Sequence, residues 1–310
     1  MALKNSITKR SSFSRAFPFL LPSFVGLIFF SLLPIVSSLF ISFTSWDGLS
    51  KLTLASDAGG FLTQYGVGLS NYITILTTQE FWSVLGHTGY FIALYIPLIL
   101  VASLAVAFIL NSKIKGIGFY RVLYYIPVLT SWIAGAIIWK WLLSPEYGPI
   151  NEVLRYIGVE GPKWLQSEVW AMPSIVLASI WKDVGYFSLI FLGGLQGINP
   201  SYYEAASIDG ASAWQRLKKI TIPLISPITF FILIICIINS FQLFPQVMVM
   251  TKEAGPNGAT QVMVERIYKY AFKYSEMGYA SAYSWLLFGI IFLFTSIQMK
   301  IQSKWVHYDD

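Results

Sequence analysis

Residues 223–250 read PLISPITFFILIICIINSFQLFPQVMVM, and no charged residue interrupts them. A helix needs about 20 predominantly apolar residues to cross the hydrocarbon core of a bilayer. This stretch is long enough, and it lacks the continuous alternation of a barrel strand, so a helix is the way to satisfy its backbone in lipid. Five further segments have the same character. The predicted spans lie near Phe17–Thr44, His87–Leu110, Val122–Leu143, Pro173–Leu195, Pro223–Phe244 and Ala280–Met299. The fold class that follows is an all-α membrane protein with six transmembrane helices. Residues 17–300 form the membrane domain, between termini at 1–16 and 301–310.

Composition agrees with this reading. Only 12% of the 310 residues are charged and 55% are hydrophobic, whereas a soluble domain carries about 25% charge. An ordinary soluble enzyme and a disordered chain are both excluded. A single cysteine, Cys236, rules out an intrachain disulfide and Cys-rich metal sites. Two histidines, His87 and His307, are too few for a histidine-ligated centre. The first span follows the basic residues Lys4, Lys9, Arg10 and Arg15. Its apolar part is longer than a signal-peptide core and no small-residue cleavage site follows, so it reads as a retained span.

The loops set an orientation. The N-terminus, 111–121, 197–221 and 300–310 together carry 12 Lys and Arg against 4 acids. Loops 45–86, 144–172 and 245–279 carry 7 bases and 10 acids. The basic side is predicted to be cytoplasmic, which places both termini inside. The net charge of +6 is thereby explained by topology, without a nucleic-acid partner. The opposite loops contain turn-rich pieces, Asp57-Ala-Gly-Gly60, Ser144 to Pro149, Gly161-Pro162 and Ala254 to Gly258. They read equally as landing surfaces for an extracytoplasmic partner or as plain connectors.

The loop between spans four and five, residues 197–223, reads GINPSYYEAASIDGASAWQRLKKITIP. Asn199 is a good N-cap and Pro200 a good first helical residue. Gly210 is a natural terminator. A second short helix then carries Trp214, Leu217 and Ile220 at helical spacing, with Arg216, Lys218 and Lys219 between them. Two short helices joined at a glycine suit a contact that transmits motion from a soluble partner. They suit an interfacial hairpin without a partner equally well.

Glu204-Ala205-Ala206, Gly210, Ile220 and Pro223 have the spacing of the EAA loop. The chain therefore resembles the permease subunits of binding-protein-dependent ABC importers, in their sugar and glycerol-phosphate branch. Gly68 to Tyr72, Phe119-Tyr-Arg121, Tyr125-Ile-Pro127, Gly148 to Asn151, Thr251 to Pro256 and Gly278 to Ala282 resemble further family pieces in the expected order. Ile222 and Ala254 depart mildly from the family pattern.

The resemblance implies a type I permease in a bacterial or archaeal plasma (inner) membrane. It implies three partners: a second permease subunit, a cytoplasmic ATPase dimer and an extracytoplasmic solute-binding protein. It also implies that the loop is a coupling element, with Tyr202, Tyr203, Glu204, Ala205, Ala206, Ile208, Asp209 and Gly210 facing or shaping the ATPase contact. The chain has no Gly-x-x-x-x-Gly-Lys-Ser/Thr motif. It is therefore expected not to be an enzyme by itself and to bind no cofactor, with ATP and Mg held by the partner ATPase.

Polar residues inside spans are costly and mark sites or helix contacts. Lys182 and Asp183 fall in span four, and as sequence neighbours they point about 100° apart. One of them is expected to face the pathway and the other an adjacent helix. If span five runs on to Met250, Asn239, Gln242 and Gln246 form one stripe at i, i+3 and i+7. Amides and charges beside Trp181 and Tyr186 suit a carbohydrate, whose hydroxyls need hydrogen bonds and whose apolar faces need rings. The competing reading has these groups binding neighbouring helices. Gly193 and Gly197 have the small-xxx-small spacing of close helix packing.

The function implied is one half of the solute pathway in an ATP-driven carbohydrate importer. The alternative is a secondary sugar carrier driven by an ion gradient, against which six spans and no internal repeat argue. A polytopic membrane enzyme ranks below both, for want of a recognisable set of catalytic residues.

Overall fold

A computed structural model describes residues 17–50, 64–112 and 115–307. The basic N-terminal residues and the Asp57-Ala-Gly-Gly60 turn lie outside them. Among the described residues there is no strand, only one isolated bridge between Thr44 and Gly66. The chain divides into two compact units, one within Met1–Ile75 and Lys269–Trp285, the other within Leu76–Tyr268 and Leu286–Asp310.

In the first unit, α1 runs over Phe17–Ser42. Its interior widens into a π-turn at Ile28–Leu32, where the Leu33 N–H reaches the Ile28 carbonyl. Pro34 follows and has no N–H to give, as membrane helices tolerate. None of the most apolar window of α1 is buried in this chain. Helix α2, Ser70–Thr77, carries Asn71 and Tyr72 of the Gly68 to Tyr72 element. Asn71 donates to the carbonyls of Ser42 at 2.9 Å and Thr44 at 2.8 Å. Tyr72 OH lies 2.6 Å from Ser42 Oγ. These residues thus cap the end of α1, whose last carbonyls have no helical partner. A Cβ on Gly278 would overlap the Thr44 carbonyl oxygen, which explains a glycine there.

The second unit is organised by α3, Gln79–Leu110, and α7, Glu168–Gly197, of 32 and 30 residues. Their shared core includes Phe91, Tyr95, Ile99, Ile175, Phe187 and Phe191. Both helices begin several residues before the predicted spans. Four helices are single continuous spans by length and apolar character: α1, α3, α7 and α12, Met277–Gln302.

The other two predicted spans are broken. The third consists of α4, Ile117–Leu129, and α5, Trp132–Leu142, bent by 98°. Ser131 adopts an extended conformation and accepts from Ala134 N at 3.2 Å, so it starts a new helix instead of continuing the old one. The fifth, Pro223–Phe244, falls mainly on Ser226–Phe241, which is bent by 63° at Ile225 from the preceding helix, Ala213–Leu224. Up to six spans result if each bent pair is counted as one. The six predicted spans are thus accounted for, two of them bent at caps and prolines that an apolar average does not register.

Helix α6, Pro149–Tyr156, belongs to a tightly pinned loop. Asn151 accepts from Trp164 Nε1 at 2.6 Å and donates to the Pro162 carbonyl at 3.3 Å. The Gly148 to Asn151 element therefore has a structural role of its own.

Candidate functional site

Two places bring the predicted residues together. The first is the hairpin of α8, Pro200–Ile208, and α9, Ala213–Leu224. Asn199 caps α8 by accepting from Ser201 N at 3.0 Å. At the other end Gly210 adopts φ +74°. Gly210 N donates to the Ser207 carbonyl and Ala211 N to the Ala206 carbonyl, at 3.2 and 2.9 Å. This is the Schellman arrangement, in which a left-handed residue closes the helix. Two residues later Ser212 and Gln215 form a reciprocal capping box that opens α9.

The hairpin is tied across by Tyr203 OH to Thr221 Oγ1 at 2.9 Å and by Arg216 to Ser207 Oγ at 3.0 Å. Tyr203 therefore faces inward as a tie. Tyr202, Glu204, Ala205, Ile208 and Asp209 are exposed, with Ile208 87% exposed, and Ala206 is half-buried. Thr221→Val should remove the tie and loosen the hairpin by about 1 kcal/mol, the worth of one hydrogen bond. Hydrogen exchange at residues 200–221 measures it, and protection unchanged from wild type would contradict the tie.

The second place is a cavity of about 260 Å³ in the second unit. Helix α7 supplies Ser179 and Asp183, one turn apart on one face. Helix α3 supplies Phe91 and Tyr95, also one turn apart, with rings stacked at 5.2 Å. Trp132 comes from the first turn of α5. Asn239 and Ser240 come from the end of α10, Ser226–Phe241, with Gln242 just beyond it. Gln246 comes from α11, Pro245–Met250.

Asn239, Gln242 and Gln246 do meet around one space, but not as a stripe on one continuous helix. The helix ends at Phe241 and restarts at Pro245. Pro245 cannot donate a backbone hydrogen bond, and the break carries Gln246 round to the cavity.

Asp183 accepts a hydrogen bond from Tyr95 OH at 2.8 Å. Lys182 turns elsewhere. Its Nζ donates to the carbonyls of Pro127 and Val128, each at 3.1 Å, and lies 5.4 Å from the Trp132 ring centroid. Those carbonyls belong to the last turn of α4, where Thr130 also donates to Pro127 and where a cation is favoured at the helix end. Trp181 packs edge-on against Trp139 at 6.0 Å, and Tyr186 is exposed beside Phe187. Neither Trp181, Lys182 nor Tyr186 lines the cavity.

Among the described residues, Ser179 Oγ, Ser240 Oγ and Gln246 Oε1 are buried without a hydrogen-bond partner, and all three belong to residues that line the cavity. Buried polar atoms are nearly always paired, so these are places for ordered water or a bound polar group. A wider recess of about 810 Å³ lies among residues 140–147 and 250–258. No buried, unpaired side-chain atom lines it.

Sequence reading missed Tyr95, Ser179 and Ser240. The signal for Ser179 was its position four residues before Asp183. For Tyr95 it was the need of an intramembrane carboxylate for a donor on an adjoining helix.

Residues 81–307 match the family described as binding-protein-dependent transport system inner membrane component. The probable ABC transporter permease protein YesP of Bacillus subtilis is 36% identical over 312 residues, covering 99% of this chain and 96% of that protein. The trehalose/maltose transport system permease protein MalF of Thermococcus litoralis is 32% identical over 302 residues, covering 96% of this chain and 98% of that protein. A chain of the solved bacterial alginate ABC transporter, in complex with an alginate pentasaccharide-bound periplasmic protein, superposes with a TM-score of 0.80. At 20% identity over 95% of this chain and 96% of that one, it shares the fold, that of a type I importer permease. The chain thus belongs to the family of binding-protein-dependent transport system inner membrane components and is a multi-pass membrane permease.

Proposed function

We propose that this chain is the permease subunit of an ATP-driven carbohydrate importer and contributes half of the solute pathway. The observation that carries the reading is the polar lining of the cavity beside Asp183, to which Ser179, Asn239, Ser240, Gln242 and Gln246 contribute. Sugar hydroxyls both donate and accept, so they suit such a mixed lining. Phe91 and Trp132 offer rings for apolar sugar faces. The name of the Thermococcus relative, a trehalose/maltose permease, supports the same solute class.

In this reading the hairpin of α8 and α9 is the coupling element, on the cytoplasmic side assigned by the basic loops. A separate ATPase dimer seats the exposed face of Tyr202, Glu204, Ile208 and Asp209. A second permease subunit completes the pathway, and a loaded solute-binding protein docks outside. ATP closes the ATPase dimer and the hairpin moves with it. The bent helices α4–α5 and α9–α10 reorient around the cavity, and the solute passes from one side to the other. Lys182 holds the α4 break to α7, so that the cavity wall moves as one piece.

The test is reconstitution of the whole transporter in vesicles. Loaded binding protein should stimulate ATP hydrolysis, and uptake should need ATP and survive collapse of ion gradients. Ser240→Trp, which fills the cavity, should cut uptake by about tenfold or more. Uptake that stops with the ion gradient while ATP is present, or that ignores Ser240→Trp, would refute the reading.

A further inference from the structure

The cavity beside Asp183 also has a charge and hydrogen-bond polarity, which narrows the solute class; this rests on the pathway reading above. Its lining holds one ionisable carboxylate, Asp183, and no Lys, Arg or His. Lys182, next in sequence, gives its ammonium to two backbone carbonyls outside the lining; its charge offsets part of that of Asp183 but offers a solute no contact. Tyr95 donates its single phenolic proton to Asp183 Oδ2, so that proton is not offered to a solute. Gln246 carries both an acceptor oxygen and a donor nitrogen, so it sets no fixed preference. Ser179, Ser240, Asn239 and Gln242 each donate or accept as required.

The one fixed preference of the lining, at Asp183, therefore asks for a donor. A sugar hydroxyl supplies one. A carboxylate or phosphate group does not, and it brings a negative charge next to Asp183 in a partly desolvated space. The mismatch is thus double, a repulsive charge and an acceptor facing an acceptor. We infer that this cavity accepts uncharged, hydroxyl-donating saccharides and rejects uronates and sugar phosphates, with Asp183 as the specificity-determining residue. Selectivity of this kind works by repelling the wrong solute as much as by binding the right one.

The experiment is equilibrium binding to the full purified transporter, held by trapped nucleotide in one state without its solute-binding protein. One probe mixture contains neutral malto-, xylo- and galacto-oligosaccharides of two to four units. The other contains oligogalacturonates, glucuronoxylo-oligosaccharides and glycerol 3-phosphate. Wild type should retain neutral probes at least roughly tenfold better than acidic ones, the order expected for a like-charge contact at partial solvation. Asp183→Asn keeps the shape and an acceptor for Tyr95 and should erase most of that ratio. Asn239→Lys places a cation at an exposed part of the lining and should move the ratio toward acids, which guards against a folding defect in Asp183→Asn. Equal or better retention of acidic probes by wild type overturns the selectivity and leaves the pathway standing. Retention of neither class removes the pathway reading and the selectivity together.

Discussion

Gly185→Ala should be among the most damaging single substitutions in this chain. A Cβ at position 185 would overlap the backbone carbonyl oxygen of Tyr124, and Val128 Cγ2 lies 3.2 Å away. A side-chain tip can rotate away from such a clash, but a helix backbone cannot. Helix α7 would have to move off α4. That movement breaks the two hydrogen bonds from Lys182, three residues earlier on the same face, to Pro127 and Val128. Lys182, a residue only 6% exposed, would then lose both of these oxygen partners. Overpacking alone costs about 1–3 kcal/mol, and the stranded charge adds to it. The expected readout is an apparent melting temperature of the purified transporter lower by about 5 °C or more, with reduced yield of assembled complex. Gly193→Ala is the matched control, because a Cβ there meets nothing within 4 Å. Its effect should stay within about 0.5 kcal/mol. Equal stability of the two variants would refute this account of the α4–α7 contact.

These glycines also mark where sequence reading stops. Gly193 and Gly197 have the spacing of a close-packed pair, yet a Cβ at either meets nothing within 4 Å in this chain. The tight positions are Gly185, against backbone, and Gly194, against the Ile228 side chain. Spacing identifies small residues that share a face. Which face meets a neighbour depends on how α7 is rotated in the bundle, and only the packed structure fixes that. The spans themselves were legible because lipid imposes a minimum apolar length, read from composition alone. The breaks in the third and fifth spans were less so, although Ser131, Pro227 and Pro245 are their local signs.

The divergence of Lys182 and Asp183 followed from helix geometry. That Lys182 would cap a broken helix required knowing that α4 ends beside it. Asn239, Gln242 and Gln246 do line one cavity, but through a different backbone from the expected stripe: their polarity selected them, and the Pro245 break brought them together. Trp181 and Tyr186 illustrate the opposite case. They are suitable sugar-binding rings by type, but they face Trp139 and the exterior of the chain. The hairpin was the most legible segment, because caps and a terminating glycine are local codes that need no tertiary partner.

Gly210→Val should uncouple transport by altering that local code. Gly210 holds φ +74°, which β-branched residues adopt only at a cost. The left-handed conformation closes the Schellman bonds from Gly210 to Ser207 and from Ala211 to Ala206. It also sets the direction in which Ser212 opens α9. A Cβ at position 210 meets nothing within 4 Å, so the effect cannot come from a clash and must come from the backbone. Strain of about 1–3 kcal/mol is comparable to what one exposed helix of nine residues can resist. The end of α8 should therefore unwind, displacing Ile208 and Asp209 from the surface proposed to meet the ATPase. ATP-dependent uptake should fall by about tenfold or more, and ATP hydrolysis should no longer respond to loaded binding protein. Gly210→Asn separates backbone strain from loss of a small residue, since Asn tolerates the left-handed region. It should retain most of the uptake. Normal uptake and normal ATPase stimulation in Gly210→Val would sink the coupling role of the hairpin. Equal failure of Val and Asn would instead place the defect in side-chain size at the partner surface.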